Sequence, residues 1–174
     1  MKYRDITINE IEQIWNIDRT EHVYSYYIND NGTLVEKVIN KTFYGWPPGE
    51  DKIYTPILVE CFNRNGFFYG GFENGKMKAI VVLDSKWIGL KKDTLRLKFL
   101  HVDREFRKKG IGAYLFKKSV EQARKLNAKR IYVSSCENKN TVDFYRHMGC
   151  KMTDDIDEEL FALEPLDIHM EFIL

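Results

Sequence analysis

Apolar and polar positions change rhythm several times along this chain, and each change marks a predicted element. Residues 2–7 fit a first strand. Thr7-Ile8-Asn9-Glu10 then reads as a helix start, followed by Ile11, Ile14, Trp15 and Ile17 at helical spacing. Val23–Ile28 and Leu34–Ile39 alternate on either side of Asn29-Asp30-Asn31-Gly32, which predicts a hairpin. Gly45-Trp46-Pro47-Pro48-Gly49 must be a loop. A second helix is expected over Tyr54–Phe62, with Pro56 tolerated in its first turn. Phe67–Phe72 and Met77–Leu83 flank an Asn74-Gly75 turn and predict a tight hairpin.

The second half is more regular. Leu97-Lys98-Phe99-Leu100-His101-Val102 alternates like a strand, and Ile111, Leu115, Val120, Ala123 and Leu126 share one helical stripe over about 111–126. Arg130–Ser135 predicts a short apolar strand. Asn138–His147 predicts a helix that Gly149 stops. Ile168, Met170, Phe172 and Leu174 alternate in a last strand or pair, an edge at which a second copy could add. That leaves monomer and homodimer both open. The fold class is α/β, a mixed central sheet flanked by helices, with an extra hairpin in the amino-terminal half. The 174 residues are read as one domain, 1–174.

Composition narrows the function classes. Hydrophobic residues make up 44% and charged ones 30%, ordinary values for a soluble globular protein. No apolar run approaches the roughly 20 residues that span a bilayer, and Met1-Lys2-Tyr3-Arg4-Asp5 does not read as a signal peptide. A net charge of +1 gives no general attraction to nucleic acid or membrane. Cys61, Cys136 and Cys150 are odd in number and far apart, which suits free thiols in the cytoplasm. No cysteine or histidine spacing suggests a metal. Charge is nevertheless uneven. Residues 101–130 hold ten basic and three acidic side chains, and residues 154–174 hold eight acids with no Lys or Arg.

The basic stretch contains Arg107-Lys108-Lys109-Gly110-Ile111-Gly112, between the predicted strand and helix. A strand that turns through glycines into a helix makes an anion site. Glycine lets the backbone approach a ligand, and the first helical N–H groups lack internal partners at the positive end of the dipole. The expected ligand is phosphorylated.

Two segments carry a resemblance. Arg107-x-x-Gly110-x-Gly112 after Leu100-His101-Val102, and Asn138-Lys139-Asn140-Thr141-Val142-Asp143-Phe144-Tyr145 before Gly149-Cys150, resemble the GNAT superfamily of acetyl-CoA-dependent N-acetyltransferases. The resemblance covers about 95–152. It implies acetyl-CoA as co-substrate, with no metal. Its pyrophosphate would meet the amides of Lys109, Gly110, Ile111, Gly112 and Ala113 and the cation of Arg107 or Lys108. Backbone groups of Leu100 and Val102 would serve the pantetheine arm if a bulge splays the strand open, together with Asn138. Tyr145 would lie near the sulfur as the acid for the leaving thiolate. The implied mechanism is direct attack by an amine in a ternary complex.

There are departures. Arg104 stands where many members have proline, and Thr141 where they have alanine. Val133 occupies the position of a glutamate base found in members that act on protein amino termini. The base is left open among Glu60, His101, Asp103, Glu137 and His169. The acceptor cleft is expected near Tyr24, Tyr26, Tyr27, Phe43, Tyr44, Trp46 and the acidic tail, which suits a small cationic amine. A protein lysine or amino terminus, or a module that binds acyl-CoA without transferring it, are the alternatives. No nucleic-acid or membrane partner is expected.

Overall fold

The computed structural model describes residues 1–174. Strand β1 (Lys2–Asp5) leads into a 3-10 helix (Ile8–Asn16). The predicted helix start is there: the Glu10 carboxylate accepts the Thr7 N–H at 2.9 Å and its hydroxyl at 3.1 Å. The helix is 3-10 and not α. Ile8, Ile11, Ile14 and Ile17 recur every third residue, and side chains three apart eclipse in a 3-10 helix. Ile11, Ile14 and Ile17 are accordingly buried in one row.

Strands β2 (Glu21–Asp30) and β3 (Thr33–Phe43) form the expected hairpin, longer than the pattern suggested and a sheet of its own. Asn31 and Gly32 both take positive φ, as a two-residue hairpin turn requires. Helix α1 (Glu50–Asn63) starts four residues before the expected Tyr54. Gly49 (φ 82°) turns the chain, and Glu50 and Asp51 suit the positive end of the dipole. Pro56 therefore lies beyond the first turn, and the Lys52 carbonyl loses its helical partner.

Strands β4 (Phe67–Glu73), β5 (Lys76–Ile88) and β6 (Thr94–Val102), helix α2 (Ile111–Lys125), strand β7 (Arg130–Ser135) and helix α3 (Lys139–His147) follow as the pattern implied. The acidic tail holds more than a last strand. After β8 (Lys151–Met152) it folds as α4 (Glu158–Leu163) and β9 (Ile168–Ile173). Asp157 caps α4 by accepting the Leu160 N–H at 3.1 Å.

The main sheet runs β1-β4-β5-β6-β7-β9-β8. All its pairs are antiparallel except β6–β7, for which α2 supplies the crossover. The carboxy-terminal strand is not an edge, since β9 lies between β7 and β8. One face of the sheet carries α2 and α3, with Leu115, Phe116, Val120, Val142 and Tyr145 packed on Val81, Leu95, Leu97, Ile131 and Met170. The other face carries the 3-10 helix and α1, with Ile14, Leu58 and Cys61 on Phe68, Ile80, Val82 and Phe99. No helix is long and apolar enough to cross a membrane.

Phe116 is fully buried and meets Phe144, Tyr145 and Phe172 edge-on at 6.5, 6.1 and 5.4 Å. Phe116→Ala should destabilise the fold by about 3–5 kcal/mol, read as a lower urea midpoint at unchanged slope.

Candidate active site

The site begins as a break in the sheet. Strands β6 and β7 pair from Thr94–Arg130 to Leu97–Val133 and no further. At the same level the β5–β6 register shifts, so that Val82 faces Phe99 while Leu83 faces Leu97. The extra residue is a bulge, which bends β6 away from β7. Along an antiparallel strand, alternate residues bond to the same side. The Asp103 N–H reaches the Lys78 carbonyl on the β5 side at 2.8 Å. Leu100 and Val102 are therefore out of phase with that ladder and turn their N–H and C=O groups toward the gap.

Arg107 closes one end of the gap. Its Nε donates to the Val102 carbonyl at 3.0 Å, and its terminal nitrogens donate to the Arg19 and Thr20 carbonyls at 3.0 and 3.3 Å. Glu21 lies 3.4 Å away. The guanidinium is thus engaged by the segment leading into β2, and the exposed cations of the loop are Lys108 and Lys109. Lys108 (φ 59°) and Gly110 (φ 77°) both turn left-handed before α2. The first helical bond at this end runs from the Tyr114 N–H to Gly110 at 3.0 Å. The amides of Ile111, Gly112 and Ala113 are left for an outside acceptor. A Cβ on Gly112 would sit 3.4 Å from the Phe144 ring and 3.9 Å from Val102, ordinary contact distances, so α2, α3 and β6 meet at this residue.

Asn138 is the residue before α3. Its carbonyl accepts the Thr141 and Val142 N–H groups, both at 3.0 Å, but its side chain caps nothing. The carboxamide is free for other use. The hairpin walls this side: the Tyr27 N–H donates to the Glu137 carbonyl at 2.8 Å, and Tyr26 bridges to Asn138. Tyr145 is only 7% exposed and packs on Phe144 at 5.2 Å. Burial, with Cys136, Cys150 and Asp167 nearby, pushes its phenol well above the ordinary value. Burial also pushes the Cys136 thiol up, which disfavours the thiolate an acyl-enzyme would need.

Across the sheet, the bulge sends Phe99 and His101 to the opposite layer from Leu100 and Val102, as alternation predicts for His101. His101 meets Trp46 at 4.8 Å and Phe99 at 5.1 Å. Burial and the Arg19 and Arg107 charges keep it neutral. The other candidate bases divide. Glu60 pairs with Arg64 on the outer side of α1. Asp103 is buried and committed to Lys78 at 2.8 Å and to two backbone amides at 3.2 Å. His169 shares a 2.6 Å bond with the Tyr132 hydroxyl, and burial lowers its pKa. Glu137 lies in the β7–α3 connection, beside the gap.

A sixth candidate, and the fourth carboxyl, was not singled out in the sequence. Asp167 stands just before β9, where its carboxylate accepts the Ser134 hydroxyl at 2.8 Å. Burial and the adjacent Glu164 push it up to about 7. Glu164 accepts the Tyr54 hydroxyl at 2.7 Å. Asp167 was legible only as one acid among eight. Its special position comes from Ile168 pairing with Ser135 at the end of β7. Of the aromatic residues expected at the acceptor cleft, Trp46 packs on His101 and Phe99, Tyr24 and Tyr44 are 69% and 80% exposed, and Tyr27 is core.

Comparison with known proteins agrees with the fold. The Acetyltransferase (GNAT) family pattern matches residues 11–150. An uncharacterized N-acetyltransferase of Methanocaldococcus jannaschii is 32% identical over 90 residues, a match that covers 50% of this chain and 39% of that relative. This chain therefore matches about two fifths of the curated relative's length. A nourseothricin acetyltransferase superposes with a TM-score of 0.74 at 18% identity, over 99% of this chain and 97% of its own. A putative streptothricin acetyltransferase of Bacillus anthracis, in complex with acetyl coenzyme A, gives 0.73 at 17% identity over 99% and 98%. At these identities the superpositions speak for the fold.

Arg107→Ala removes three bonds to backbone carbonyls and should lower stability by about 2–3 kcal/mol. Lys108→Ala, at an exposed position, should stay within about 0.5 kcal/mol. Paired denaturant titrations check both.

Proposed function

Because the chain belongs to the Acetyltransferase (GNAT) family, we propose that it moves an acetyl group from acetyl-CoA to the primary amine of a small cationic acceptor, by direct attack in a ternary complex. The observation that carries this reading is the gap between β6 and β7, with the amino end of α2 set beside Val102 at its mouth. The residues present suit the co-substrate. Its pyrophosphate fits the amides of Lys109 to Ala113 and the charges of Lys108 and Lys109. Its pantetheine amides fit the gap-facing groups of Leu100 and Val102 and the free carboxamide of Asn138. When bound, acetyl-CoA supplies an activated acyl group.

The chain's own residues supply the rest. The Val102 N–H faces the gap and can stabilise negative charge on the thioester oxygen, while Arg107 occupies the Val102 carbonyl that would oppose it. Tyr145 keeps its proton at neutral pH and donates it to the leaving thiolate. A small cationic acceptor is supported by the carboxyl groups on the far side, Glu50, Glu164 and Asp167, and by the structural likeness to acetyltransferases named for streptothricin and nourseothricin. Arg19 lies 3.2 Å from Glu50 and neutralises only that one. We assign the activity to the reducing cytoplasm, where Cys61, Cys136 and Cys150 stay free.

Thiol release from acetyl-CoA over a panel of amines (streptothricin, spermidine, Nα-acetyl-lysine) tests the reading. Tyr145→Phe should lower kcat by roughly 100-fold while acetyl-CoA affinity stays within about twofold. Tight acetyl-CoA binding with no turnover of any amine would make the protein a binding module instead.

A further inference from the structure

The acceptor must lose a proton before it can attack, because a primary ammonium has a pKa of about 10 and no lone pair. Asp103 and Glu60 are committed elsewhere, and His101 and His169 are desolvated in a direction that weakens both as bases. Asp167 differs from all four in its place. The β7–β9 ladder ends at Ser135 and Ile168, so Asp167 lies against Cys136, where β7 leaves the sheet. Its Ser134 partner is the first residue past the end of the β6–β7 pairing. Tyr145 places α3 beside the same spot: its side chain is more than nine-tenths buried, and the Asp167 charge is one of its neighbours.

We infer that Asp167 is the catalytic base that deprotonates the acceptor, opposite Tyr145 at the acetyl end of the gap. This rests on the acetyl transfer proposed above. The Asp167 carboxylate takes one proton from the ammonium, and the freed nitrogen forms a bond to the thioester carbon. As the carbon–sulfur bond breaks, the thiolate takes the Tyr145 proton. The second proton lost by the nitrogen restores Tyr145, and Asp167 releases its own to solvent. The products are an amide, a thiol and one proton.

The surroundings of Asp167 suit the task. Glu164 follows α4, Glu137 lies between β7 and α3, Ser134 and Cys136 belong to β7 and its end, and Tyr145 comes from α3. Ser134 holds the carboxylate in place, and the two glutamates favour a cation beside it. Tyr54 fixes Glu164 from α1. A base is most effective when its pKa lies near the working pH, and Asp167 at about 7 meets that condition.

The test is kcat/KM for spermidine acetylation from about pH 5.5 to 9 in wild type, Asp167→Asn and Asp167→Glu. Wild type should rise through an inflection near 7 and level off. Asp167→Asn should lose roughly 100-fold at pH 8 and show no inflection, and Asp167→Glu should recover part of the rate. Calorimetric affinity for coenzyme A should be unchanged in both. Folding has its own check. The folded pKa lies above the unfolded one, so the stability it contributes is full below about pH 4 and is lost as pH rises through 7. Asp167→Asn should therefore melt higher than wild type at pH 8, with the advantage gone at pH 4. Wild-type kcat/KM and an intact inflection in Asp167→Asn would overturn the role of Asp167 and leave acetyl transfer standing. No turnover by wild type on any amine would remove both.

Discussion

Past Leu97 and Val133, two parallel strands stop bonding each other, and their backbone groups must find other partners. Most of the candidate site follows from that divergence. A bulge at Lys98 in β6 turns the strand, which moves Phe99 and His101 to one layer and leaves Leu100 and Val102 lining the gap. The protein satisfies one exposed group itself, through Arg107 on the Val102 carbonyl. The rest form a polar seam through an otherwise apolar sheet, which follows from the bulge in β6 and the crossover through α2.

The two faces of the sheet then take different work. On one, α2 and α3 pack through Phe116, Phe144 and Tyr145, which fixes the two helices against each other. On the other, α1 and the acidic tail bring Tyr54, Glu164 and Asp167 together. Basic charge is concentrated around the amino end of α2, and acidic charge in the carboxy-terminal segment. A net charge of +1 conceals this, because the two fields nearly cancel over the whole molecule.

Much of this was legible before any coordinates. The hairpin turns at Asn31-Gly32 and Asn74-Gly75, the strand–turn–helix around Gly110 and the Asn138–His147 helix follow from local rules, and the chain obeys them. Other local features were less legible. The 3-10 geometry of Ile8–Asn16 reflects a strict three-residue spacing that the pattern read only as helical. Helix α1 starts at Glu50 because Gly49 can turn left-handed, a signal hidden in a proline-rich loop. Helix α4 is six residues long, too short for periodicity to register.

The sequence by itself determined the order of strands and helices up to the end of α3, the glycine-bearing turn into α2 and the separation of basic from acidic segments, since all of these rest on patterns within a few residues. Only the tertiary structure decided what the side chains do. It drew Arg107 away from the loop toward the carbonyls of residues 19, 20 and 102, left the Asn138 carboxamide uncommitted, and enclosed β9 between two strands. It also set Asp167 apart from seven other acids. The reason is physical: a carboxyl group's chemistry depends on its distance from water and from other charges, and for Asp167 both were fixed by partners 33 residues back along the chain at Ser134 and three back at Glu164.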